Sequence, residues 1–121
     1  MLAIHDKEVR AIEERATEMR RDLIKMLTNA GSGHSAGPLD LAEVFATLYF
    51  HVLNHKPKSP KWKHRDRVYL SCGHVCPIQY VALAHAGYFP KKELMTLRKL
   101  GSRLQGHPES GPAPGIENTS G

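Results

Sequence analysis

At 121 residues and 13.5 kDa, with 40% hydrophobic and 24% charged residues, the chain has the makeup of one small globular domain and is too short for two independent cores. No apolar run approaches the roughly 20 residues that cross a bilayer, and Met1 to Arg10 is charged almost from its start instead of carrying a signal-peptide core, so no membrane partner and a cytoplasmic location are expected. The formal net charge of +5 comes partly from Lys56, Lys58, Lys61, Lys63, Arg65 and Arg67; with Trp62 the one aromatic among them, this reads as a solvated basic loop, and no nucleic-acid partner is expected.

From Asp6 to about Asn29, the residues Val9, Ile12, Ala16, Met19, Leu23, Met26 and Ala30 recur at alternating spacings of three and four. That is the apolar stripe of one amphipathic helix, and Gly31 supplies its stop. A glycine-rich loop, GSGHSAGP, leads to a second helical segment over 39–53, where Asp40 and Glu43 are spaced for a capping box. Pro57 and Pro60 make 54–66 a loop. Arg67 to Ser71 reads as the one clear strand, because it is short and partly β-branched and aromatic. A third helix follows from Pro77 to about His85 and ends at Gly87; Pro90 then opens a fourth, over 91–100. After Gly101 the chain is a loop to Gly121. The fold class expected is α/β, mostly helical, with a strand whose sheet partners are missing, so exposed apolar surface and self-association are expected.

Three histidines each occupy a glycine-containing loop at the end of an element: His34 in GSGHS, His74 in SCGHV and His107 in LQGHP. Glycine lets backbone approach a ligand closely, and α/β folds collect their sites in such loops. Imidazole donates at one nitrogen and accepts at the other, which suits sugar hydroxyls or phosphate. His5, His51, His55, His64 and His85 lack this context. A metal held by the three loop histidines is a sharper alternative, weakened by the lack of any short ligand pair. Cys72, His74 and Cys76 form a C-x-H-x-C pattern whose side chains would align on a strand, but Gly73 and Pro77 argue against a strand there. Both thiols are expected to be reduced and largely buried. The glycine loop is neither a P-loop nor GxGxxG, so the residues by themselves point to a polyhydroxylated or anionic ligand.

From about Met19 onward the sequence resembles the N-terminal region of transketolases. Four blocks in matching order carry the resemblance: SGHSAGPLDLAE, LYFHVLNHKPKSPKWKHRDR, LSCGHVCPIQY and GYFPKKELMTLRKLGSRLQGHPE. Enzymes of this family move a two-carbon ketol unit from a ketose phosphate to an aldose phosphate, using thiamine diphosphate and Mg2+ or another divalent cation. The resemblance implies that His34 and His107 contact donor-sugar hydroxyls. It puts His74 between the cofactor diphosphate and the substrate, and Gly121 at the glycine that opens the loop beside the thiamine ring. The short lead before Met19 and the GSRLQGHP block look most like the N-terminal subunit of split transketolases. That implies an oligomer whose sites are completed by a C-terminal pyrimidine-binding subunit or domain.

Ser35 and Asn118 depart from the family's usual residues. The metal and diphosphate ligands of the family fall beyond Gly121, so residues 1–121 are expected to be a partial diphosphate-binding domain, incomplete at its C-terminus and inactive by itself. Dihydroxyacetone synthase is too similar to separate from this reading. Deoxyxylulose phosphate synthase is disfavoured by the His107 block, and a non-catalytic partner-binding module is the alternative from another class.

Overall fold

A computed structural model describes residues 4–121. The first helix, α1 (Asp6–Ala30), starts where the His5 N–H donates to the Glu8 carboxylate at 2.9 Å. Asp6 and Glu8 in its first turn suit the positive end of the helix dipole. It ends at Gly31, whose φ of 73° brings its N–H to the Leu27 carbonyl at 2.9 Å. Most of the expected stripe faces the core: Ala16, Met19, Leu23 and Met26 are sealed and Ile12 and Ala30 half-buried, while Val9 near the helix start and Ile24 on the far side are exposed. Sealing each of the larger side chains stabilises the fold by about 1.5–3 kcal/mol.

The second expected helix is broken into three pieces: α2 (Ala36–Asp40), α3 (Ala42–Thr47) and a π-helical turn, Leu48–Val52. The first begins inside the glycine-rich segment, earlier than composition suggested, because Pro38 fits a first helical turn, where its missing N–H costs nothing. Asp40 closes α2 instead of capping a helix, so the expected capping box with Glu43 is not formed; Glu43 pairs with Arg20 of α1.

The helix expected at Pro77 is α4 (Cys76–Ala86), closed by Gly87 at φ 98°. Every residue from Cys76 to Ala84 is buried, as befits a helix apolar on all faces. It is the centre of the molecule, with α1, α3 and the segment after Pro90 packed around it.

Two more expectations fail. The segment 67–71 is extended, but no strand forms among the described residues, so their architecture is helical and the single-strand part of the α/β assignment is corrected. A strand needs a neighbour's peptide groups, and here a side chain substitutes for them. Asn118 Oδ1 accepts from the Leu70 N–H at 2.9 Å, and Asn118 Nδ2 donates to the Leu70 carbonyl at 3.0 Å. The fourth helix is also shorter than expected, a 3-10 segment, Lys91–Thr96. Beyond it Arg98 turns into the left-handed region at φ 63°, its N–H donating to the Leu104 carbonyl at 2.8 Å. Folding the chain back in this way buries Leu97 and Leu104 together, which a continuing helix would prevent.

The basic loop is solvated at Lys56, Lys58, Lys61, Lys63 and Arg67, as its composition implied, and only Arg65 is drawn in. Lys56 Nζ lies 4.3 Å from the centre of the Trp62 ring. Arg65 holds Glu117 through two bonds of 2.7 and 2.9 Å, with both side chains only 10% exposed. That bond holds the Glu117 carboxyl below the usual carboxylate range, outweighing its desolvation. With Asn118 it ties the last residues to the 62–70 loop. No helix among the described residues is long and apolar enough to cross a membrane.

Candidate active site

The three loop histidines meet. His34 follows Gly33 in the turn after α1; His74 lies in a single 3-10 turn, Gly73–Val75, at the start of α4; His107 arrives on the returning C-terminal segment. The ring centres of His34 and His74 are 5.2 Å apart and those of His34 and His107 are 6.2 Å apart, both edge to face. All three residues are exposed, so a ligand can reach them from outside.

Gly121 belongs to the same group. A Cβ built on it would lie 3.8 Å from His107 Cδ2. Its approach depends on Gly73, where a Cβ would stand 2.6 Å from the Ser120 carbonyl oxygen and 3.0 Å from Gly121 Cα. A side chain at position 73 would therefore push the chain end away from His74 and His107.

What holds His107 was missed by the sequence reading. The Tyr80 hydroxyl donates to the Gln105 carbonyl at 2.8 Å, and the Cys76 thiol donates to the Gly106 carbonyl at 3.4 Å and more weakly to Gln105 at 3.7 Å. Cys76 and Tyr80 stand one helical turn apart on α4, so their common face was legible, but nothing in the sequence said what that face touches. Burial pushes the Cys76 thiol up to about 11, so it stays protonated at neutral pH. Arg98, also unmarked in the sequence, packs beside Gly106.

These contacts remove the C-x-H-x-C metal reading and correct one thiol. Cys76 starts a helix and points into the core, whereas Cys72 is exposed, contrary to the expectation that both are buried. Among the described residues no group of three or more His, Cys, Asp or Glu is arranged to hold a metal ion, the loop histidines included. Other histidines serve the packing: His55 bonds the Tyr88 hydroxyl at 2.9 Å and the Tyr49 carbonyl at 2.8 Å, and His85 bonds Asp22 at 2.6 Å. The site is thus a group of exposed imidazoles beside glycine-lined backbone, suited to hydrogen-bonding oxygen-rich ligands.

The family model described as "Transketolase, thiamine diphosphate binding domain" matches residues 12–121. Among relatives, the transketolase of Pongo abelii is 41% identical over 102 residues, covering 84% of this chain and 16% of its own length. That of Treponema pallidum is 41% identical over 112 residues, covering 92% and 17%. Among solved structures, transketolase from Leishmania mexicana superposes with a TM-score of 0.87 at 37% identity, over 91% of this chain and 17% of that one. A Pichia stipitis transketolase, solved in complex with sedoheptulose 7-phosphate, gives 0.86 at 36% identity, over 91% and 16%. The chain therefore spans about a sixth of the length of the relatives it matches. On the family match, the identities and the shared fold, the chain belongs to the transketolase family, in its thiamine diphosphate binding domain.

Proposed function

We propose that this chain supplies one wall of a transketolase active site, part of an enzyme that moves a two-carbon ketol unit from a ketose phosphate to an aldose phosphate. The observation that carries the reading is the convergence of His34, His74, His107 and Gly121 on one exposed surface. That surface fits thiamine diphosphate and a sugar: imidazole donors suit diphosphate and hydroxyl oxygens, and the side-chain-free backbone at Gly121, beside His107, leaves room for close approach. When bound, the cofactor supplies the electron sink that carbon–carbon cleavage of a ketose needs.

In this reading His34 and His107 hold the donor sugar's hydroxyls, fixing its orientation and placing N–H donors where negative charge develops on oxygen. His74 bridges the cofactor diphosphate and the donor. Residues 1–121 act as a partial diphosphate-binding domain, and the divalent cation is held by residues other than these. The site is completed by a pyrimidine-binding subunit or domain within an oligomer, and we place the assembly in the cytoplasm, as expected from the sequence. Because the chain spans about a sixth of its relatives' length, ketol transfer belongs to that assembly and not to these residues alone.

The test supplies the chain with the residues that complete the family's fold, thiamine diphosphate and Mg2+, and measures ketol transfer from a ketose phosphate. Activity in the assembly and none from the chain alone is expected. An assembly that binds the cofactor yet transfers nothing contradicts the reading.

A further inference from the structure

Arg98 is the one non-glycine residue at positive φ among the described residues. A left-handed backbone costs an ordinary L-residue energy unless the surroundings demand it. Burial does not demand it, because Arg98 is exposed. Nor does an ion pair: no carboxylate among the described residues bonds its guanidinium.

Its surroundings are two glycines, each next to a site histidine. A Cβ on Gly33, beside His34, would lie 3.8 Å from Arg98 Cδ, and a Cβ on Gly106, beside His107, would overlap Arg98 Nη1 outright. Gly33 has a conformational reason to be glycine, with φ at 128°, but Gly106 has no positive φ. The space a Cβ would take at 106 is filled by the tip of the Arg98 side chain. Arg98 therefore passes between the loop that carries His34 and the loop that carries His107, close enough for its charge to be felt at the Cys76 thiol behind them. The N–H bond from Arg98 to the Leu104 carbonyl fixes the root of the side chain on the same segment that delivers His107.

We propose that Arg98 is a positioning residue, a spacer that sets the separation of His34 and His107, with Gly106 as the slot that admits it. The proposal rests on the functional reading only for its consequence, that the two imidazoles are spaced for one donor sugar. The arginine is suited to the task because its flat, extended guanidinium reaches the Gly106 slot, which the compact ammonium of lysine would not fill.

The test is a double-mutant cycle in the assembled enzyme, read by ring-proton contacts between His34 and His107 in NMR and by the split between donor KM and kcat. Arg98→Asn keeps the left-handed backbone accessible while removing the guanidinium, and Arg98→Lys is the second variant in case the first folds poorly. Arg98→Asn is expected to change the His34–His107 ring contact and raise donor KM roughly tenfold, since a small misplacement of binding groups is costly. Gly106→Ala is expected to do the same in the wild-type background and to add little once Arg98 is Asn. Arg98→Lys is expected to restore charge without restoring the contact. An unchanged ring contact in Arg98→Asn, or a Gly106→Ala effect of equal size in both backgrounds, overturns the proposal. If the assembly has no ketol transfer, the functional reading fails while the ring contacts still decide the spacer.

Discussion

Replacing Tyr80 by Phe removes one oxygen and tests how His107 is held. The tyrosine is 1% exposed, and its hydroxyl donates to the Gln105 carbonyl at 2.8 Å, two residues before His107. A bond of this kind contributes about 0.5–1.5 kcal/mol net, and leaving a partly buried acceptor without its partner adds to the loss. Cys76 compensates poorly, since its thiol is a weak donor and stands 3.7 Å from that carbonyl. The expected loss is therefore about 1–1.5 kcal/mol, near a factor of ten in the folding equilibrium at the upper end. Urea denaturation followed by the fluorescence of Trp62 reads the stability. In the assembled enzyme the same variant is expected to raise donor KM more than it lowers kcat, because His107 keeps its chemistry and loses its place. An unchanged denaturation midpoint together with an unchanged KM would refute the claim that α4 anchors the His107 loop.

Three further outcomes follow from contacts on the page. Gly73→Ala puts a Cβ 2.6 Å from the Ser120 carbonyl oxygen and so displaces residues 120–121 from the site; a loss of about 1–3 kcal/mol and weaker thiamine diphosphate binding are expected, read by denaturation and titration calorimetry. Asn118→Ala deletes both bonds to Leu70, with an expected cost of about 1–3 kcal/mol and faster amide exchange at Leu70. His85 accepts from Arg15 at Nδ1 and donates from Nε2 to Asp22, so its neutral ring satisfies both neighbours, and burial, the larger effect, holds its proton affinity below the usual histidine value. The unfolded chain therefore takes up the proton first: stability should be full above about pH 6.5 and fall as the pH drops below it, a slope that His85→Gln should flatten in denaturation series.

The long periodic stripe of α1 and the apolar run of α4 were legible to within a residue at the ends, because burial of one face, or of all faces, is written directly in the spacing of apolar side chains. The strand at 67–71 was not. β-branched and aromatic residues describe a chain that can extend, whereas a strand exists only if another backbone lies beside it, and here the neighbour is the Asn118 amide. The break in the second helix and the reversal at Arg98 were hidden for a related reason: each is decided by what packs against it. The loop context of His34, His74 and His107 and the family blocks singled out the residues that meet in space. The residues supporting them, Tyr80, Cys76 and Arg98, act through contacts with backbone far away in sequence, which no local pattern records.

The measurement that bears most directly on the account is ketol transfer by the assembled enzyme carrying His107→Ala, compared with His64→Ala, which alters an exposed loop histidine beside Trp62. If His107 holds the donor, its loss should reduce kcat/KM by roughly a hundredfold, the scale of removing one oriented donor from a developing charge, while His64→Ala stays near wild type. Equal activities in the two variants, with both folded and both binding thiamine diphosphate, would contradict the assignment of the histidine group as the donor site.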